Sequence, residues 1–301
     1  MLLQRKMLMW SDQNPFDLDN EAAYQRWREW KLEQAPKTAT ELIVEVDDVR
    51  RLSTDEHAAL LACCRRANMA IYVNRVRDAD KDVARLIGRQ FGLENMDANW
   101  LADEDGVSQI KVSSDSQRQG FIPYTNRPIK WHTDGYYNPP ERQVRAMVLH
   151  CVQSAAEGGE NRLMDHETAY LLLRDASPDF VRALSAPDAM TIPARIGENG
   201  VVRIAQTGPV FSMDENGALH MRYTARTRSI EWKQDEVTLV AVALLEKLLS
   251  SDSPYIYRAR LESGMGLLCN NVLHDRAGFT DDAAHPRLLQ RARYYERIAE
   301  S

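Results

Sequence analysis

At 301 residues with 44% apolar side chains, the chain is long enough to bury a sizeable core, in one large domain or two small ones. Its 44 acidic and 38 basic residues leave a formal charge of −6, which argues against nucleic acid or an anionic membrane as partner, since both demand a basic face. Cys63, Cys64, Cys151 and Cys269 form no C-x-x-C or zinc-finger spacing, the first ten residues are too interrupted for a signal peptide, and no apolar run reaches about 18 residues. Reduced thiols and a cytoplasmic location are therefore expected.

Residues 1–40 read as a helical N-terminal extension, with Trp27, Trp30 and Leu32 spaced for one helix face after Asn14-Pro15. Residues 41–46 look like a strand, and Ser53 with Glu56 makes a capping-box pattern ahead of Leu60, Leu61 and Cys64. A second strand is expected over 69–73 and a helix over 81–91. Turn-rich residues 120–127 carry Tyr124-Thr125-Asn126, placed either to line a pocket or merely to connect.

Residues 145–152 read as a buried strand, closed by the turn Glu157-Gly158-Gly159. A histidine inside such an apolar strand, His150, is more often a hydrogen-bonded core residue than a metal ligand. Two helices are expected over 165–173 and 177–184, the second with serine as cap and proline in its first turn. Residues 197–228 read as strands and loops ending in the arginines Arg222, Arg226 and Arg228. In the helix over 235–249, Val237, Val240, Leu244 and Leu248 recur beside Leu245 and are expected to face the core. Residues 266–273 form a strand leading to His274, and 287–297 suit either strand or helix.

Chemistry is concentrated in Lys130-Trp131-His132-Thr133-Asp134-Gly135-Tyr136-Tyr137. Residues two apart on a strand share a side, so His132 and Asp134 can reach one metal ion. A second histidine, His274, could complete a face of two imidazoles and one carboxylate with other positions open, the ligand set of non-haem Fe(II) oxygenases.

Further elements follow in order: Asn138-Pro139-Pro140, Leu149-His150-Cys151, Glu157-Gly158-Gly159-Glu160-Asn161, His274, and Arg287-Leu288-Leu289-Gln290-Arg291. From about residue 107 to the C-terminus this series resembles the taurine dioxygenase (TauD/TfdA) family of Fe(II)- and 2-oxoglutarate-dependent oxygenases. The tyrosines beside the His-x-Asp pair look nearer its gamma-butyrobetaine hydroxylase-like branch.

The resemblance implies an α+β fold with a mainly β core, a double-stranded β-helix (jelly roll) with helical insertions and covering helices, in a single catalytic domain spanning 1–301. It implies Fe(II) on His132, Asp134 and His274, with 2-oxoglutarate and O2 as cosubstrates and succinate and CO2 released as a small polar substrate is oxidised. Arg291 is matched to the arginine that grips the 2-oxoglutarate carboxylate, a planar fork being suited to it. Arg287 shares its side, as does Arg293 on a strand, and Asn161 stands where the family often has a hydroxyl residue. The arginines Arg222, Arg226, Arg228 and Arg287 in a net acidic chain suggest an acid-bearing substrate. Association into a homo-oligomer is left open, and the competing class is a non-catalytic metal- or small-molecule-binding jelly roll.

Overall fold

A computed structural model describes residues 14–76, 82–97, 106–115, 121–197, 200–226, 230–282 and 286–301. They fall into two compact units. One comprises Pro36–Asp165, Tyr223–Arg226 and Asp252–Ser301; the other comprises the chain up to Ala35, His166–Arg222 and Thr227–Ser251.

The first unit is built on a six-stranded sheet, in the order Ile43–Val46, Met69–Asn74, Met265–Cys269, Ala146–Gln153, Leu288–Tyr294, Ser108–Ile110. Its first pair is parallel and every other pair antiparallel. The apolar run 146–151 is buried along its whole length, which suits a central strand flanked on both edges. A second, four-stranded antiparallel sheet runs Tyr257–Ala259, Asn161–Met164, Leu273–Arg276, Ile129–His132. One buried cluster joins the larger sheet (Ile71, Val148, Leu268) to Leu163 and Tyr257 of the smaller one.

Local chemistry sets the boundaries. The helix Thr54–Ala67 starts on a capping box in which the Ser53 side chain accepts from the Glu56 amide and the Glu56 carboxylate accepts from the Ser53 amide. It ends on Asn68 at φ 57°, a left-handed cap that turns the chain straight into strand Met69–Asn74. Gly158 is dictated twice over: its φ is 73°, and a Cβ would sit 2.4 Å from the Gly278 carbonyl oxygen across the short ladder Glu157–Gly158 with Phe279–Thr280. The ambiguous C-terminal segment is a strand, Leu288–Tyr294.

The second unit holds helices Glu21–Gln34, His166–Ala176, Pro178–Leu184 and Glu236–Ser250 with small antiparallel ladders. Two expected faces are rotated. On Glu21–Gln34 the buried residues are Ala23, Tyr24, Trp27 and Lys31, while Trp30 is 42% exposed. On Glu236–Ser250 they are Thr238, Ala241, Val242, Leu245 and Leu249, whereas Val237 and Val240 are 41% and 47% exposed. That helix is apolar nearly all round, so helical spacing alone fits more than one face. Buried Lys31 is offset by Glu167, 2.5 Å away. Among the described residues no helix is long and apolar enough to cross a membrane.

Candidate active site

Strands Ile129–His132 and Leu273–Arg276 are antiparallel neighbours, and the register sets His274 opposite His132. Their ring centroids are 4.2 Å apart. Just past the first strand, Asp134 Oδ1 lies 3.6 Å from His132 Nε2, and ligand atoms of His132, Asp134 and His274 all lie within 4.8 Å of one another. No other such group of histidine, cysteine or acidic residues occurs among the described residues.

Each imidazole is oriented by its own strand. His132 Nδ1 is 2.9 Å from the Lys130 carbonyl and His274 Nδ1 is 2.9 Å from the Val272 carbonyl. A carbonyl can only accept, so each Nδ1 carries the hydrogen and each Nε2 keeps its lone pair for a metal. Burial, reinforced by His132, pushes the His274 pKa down to about 4, so the ring is neutral at pH 7. Burial works against ionised Asp134, but Arg291, then His132, Arg293 and His274, outweigh it and hold the carboxyl well below the usual carboxylate range. Two basic nitrogens and an ionised carboxylate converging on one point fit a ferrous ion.

The reverse face of these strands is braced by Arg162, which the sequence reading passed over. Its guanidinium donates to Asp275 Oδ2 at 2.8 and 2.5 Å and lies 5.0 Å over the Trp131 ring. Asp275 and Trp131 adjoin His274 and His132, so one cation stiffens both ligand strands from behind. Only the cross-strand register brings these three together, and no short motif marks them.

The C-terminal arginines separate into different roles. Arg291 Nη1 is 3.0 Å from Asp134 Oδ2 and 3.3 Å from Oδ1. Arg293, on the same side of the strand, meets Asp97 at 2.6 Å and donates to the Tyr137 hydroxyl at 3.1 Å. Arg287 is buried with its guanidinium 4.9 Å from the centroid of the Phe279 ring, beside Gly159. It forms no ion pair with a carboxylate among the described residues, and burial lowers its pKa, with Cys151 and Asp281 only partly offsetting. Asn161 donates to the Asp275 carbonyl at 2.7 Å and keeps its buried Oδ1 without a hydrogen-bond partner.

His150 lies outside this cluster, with Nδ1 3.1 Å from the Tyr72 hydroxyl. Arg222 is committed to main chain in the second unit: it donates to the carbonyls of Met190, Gly208, Gln206 and Pro209, and burial lowers its pKa to about 10. Arg226 is exposed, two residues beyond Thr224, which bridges His132. Arg228 lies outside the described residues.

Residues 12–293 match the family Taurine catabolism dioxygenase TauD, TfdA. A uridine-5'-phosphate dioxygenase from Amycolatopsis sp is 32% identical over 197 residues, covering 63% of this chain and 68% of that protein. One of the same description from Streptomyces sp is 28% identical over 200 residues, covering 63% and 69%. In fold, the chain is similar to the non-heme iron oxygenase OrfP in complex with Fe, succinate and (3S)-hydroxy-L-Arg (TM-score 0.59, 15% identity, 82% of each chain). It is also similar to an asparagine oxygenase in complex with Fe(II), 2S,3S-3-hydroxyasparagine and succinate (TM-score 0.55, 17% identity, 89% and 90%). A half-buried and a buried imidazole beside an ionised carboxylate thus lie within a chain matched almost end to end, and the protein belongs to the TauD/TfdA family of Fe(II)- and 2-oxoglutarate-dependent dioxygenases.

Proposed function

We propose that His132, Asp134 and His274 hold the ferrous ion, that Arg287 grips the distal carboxylate of 2-oxoglutarate beside Asn161 and Arg291, and that the substrate is a small anion of the uridine-5'-phosphate kind. The observation that carries the reading is the convergence of two Nε2 lone pairs and one ionised carboxylate in a largely buried site. The same proposal takes the mixed sheets as a jelly roll and both units as one catalytic domain.

When bound, the ferrous ion and 2-oxoglutarate supply with O2 the oxidising power the polypeptide lacks, and 2-oxoglutarate leaves as succinate and CO2. The chain's own task is positioning. The two carbonyls hold the imidazoles in one tautomer, and Arg291 keeps Asp134 ionised. Arg287, a desolvated cation with a planar fork and no carboxylate partner among the described residues, is suited to a carboxylate ligand. This shifts the grip on the cosubstrate from Arg291, the choice by motif, because Arg291 already serves Asp134.

For the substrate, support comes from the name shared by the two curated relatives and from exposed Arg226 near the His132 strand. Arg222, saturated by carbonyls, does not contribute. The test is substrate-stimulated succinate formation under air with uridine 5'-phosphate, other nucleotides, sulfonates, amino acids and betaines, followed by mass spectrometry of the product. Stimulation by uridine 5'-phosphate and not by uridine is expected. Turnover coupled only to compounds lacking an acid group overturns the substrate assignment and leaves the oxygenase standing.

A further inference from the structure

We propose that Asn271 is a positioning residue for the ligand Asp134, fixing that residue's main chain to the segment that carries His274. The proposal rests on the His132, Asp134, His274 reading of the metal site.

Asn271 is 2% exposed and its carboxamide is fully used. Oδ1 accepts from the Asp134 amide at 2.7 Å, and Nδ2 donates to the Asp134 carbonyl at 2.9 Å and the Val144 carbonyl at 2.6 Å. The side chain therefore pairs with both main-chain groups of one ligand as an adjacent strand would. One residue on, the Val272 carbonyl accepts from His274 Nδ1, so the four residues 271–274 supply one ligand, the tautomer of that ligand and the anchorage of another.

The backbone narrows which residue can do this. Asn271 sits at φ 50°, in the left-handed region that glycine and asparagine enter most readily. Aspartate tolerates the region but lacks the two donors; glycine tolerates it but has no amide. The partner segment has no slack either. Gly135, next to Asp134, has φ 68°, and a Cβ there would lie 2.5 Å from Val144 Cγ2. Asp134 is thus caught between the Asn271 amide and the Val144 side of the turn, which spares the metal the task of gathering its ligands.

The neighbouring Asn270 provides an internal control. Its side chain donates to Asn68 and Ser301 and accepts from Ile298, so it makes as many bonds but none to a metal ligand. The experiment measures anaerobic Fe(II) affinity by chelator competition, alongside the melting temperature of each apoprotein, for the natural chain, Asn271→Gly, Asn271→Asp and Asn270→Ala. Outer-shell losses of this kind lower metal affinity roughly 10- to 100-fold. That loss is expected for both Asn271 variants, while Asn270→Ala melts earlier yet binds iron as the natural chain does. Asn271→Gly relaxes the backbone, so it carries the test if Asn271→Asp does not fold. Unchanged iron affinity in Asn271→Gly, or an equal loss in Asn270→Ala, overturns the proposal. Failure of the natural chain to bind iron overturns the triad reading and this proposal with it.

Discussion

Arg291 Nη1 lies 3.0 Å from Asp134 Oδ2, so the carboxylate expected to bind the metal is already neutralised by a buried guanidinium of the same chain. Removing one member of a buried pair leaves the other charge uncompensated, at a cost of about 3 to 5 kcal/mol. Arg291→Ala is therefore predicted to melt well below the natural apoprotein. A divalent ion on Asp134 replaces the lost charge, so the rise in melting temperature on adding Fe(II) or Co(II) should be larger in Arg291→Ala than in the natural chain. Equal rises would show that the guanidinium does not share the metal's electrostatic role.

Arg287 gives a different signature. Loss of a charge-assisted bidentate grip should cost about 2 to 4 kcal/mol, roughly 30- to 1000-fold in 2-oxoglutarate affinity. Arg287→Ala is predicted to raise the 2-oxoglutarate KM by that range while leaving Fe(II) affinity nearly intact, and Arg287→Lys to recover part of it. A normal KM in Arg287→Ala with a large rise in Arg291→Ala returns the cosubstrate role to Arg291.

Apoprotein stability should fall with acid through a window set by His274. Its folded pKa is about 4 and its ordinary value 6.5, so the unfolded chain takes up the proton first. The contribution is fully present above about pH 6.5 and lost as pH falls toward 4, with a limiting slope on the order of 1.4 kcal/mol per pH unit from one proton. Urea unfolding between pH 7 and 4 checks this: His274→Gln should flatten the slope. An identical slope in that variant would assign the acid sensitivity elsewhere.

The rotated helix Glu236–Ser250 supplies a test of packing. Leu245→Ala removes a buried side chain and should cost about 2 to 5 kcal/mol, whereas Val240→Lys, on the exposed side, should stay within about 0.5 kcal/mol of the natural chain. A severe loss in Val240→Lys would restore the face expected from sequence.

What the sequence reveals here follows the range of the interaction. His132 and Asp134 are legible because they stand two residues apart in the chain, at and just past a strand's end, and the Ser53 cap because its partners are three residues apart. The pairing of His274 with His132 is a matter of sheet register, so only resemblance to a family pointed to it. Arginine was the least legible residue type. Arg222, Arg287 and Arg291 carry the same charge in sequence, yet one is spent on carbonyls, one stacks on Phe279 and one pairs with Asp134. Asn271 carries no local signal at all, because its three bonds reach residues far away in the chain.

The central claim is that one ferrous ion is held by His132, Asp134 and His274, and iron stoichiometry tests it most directly. After anaerobic loading with Fe(II) and removal of free metal, elemental analysis should find about one iron per chain in the natural protein, as expected of a single facial site. His132→Ala, Asp134→Ala and His274→Ala should each lose most of that iron, while His150→Ala keeps it. Full iron retention in His274→Ala, the ligand joined to the others only through the fold, would contradict the account.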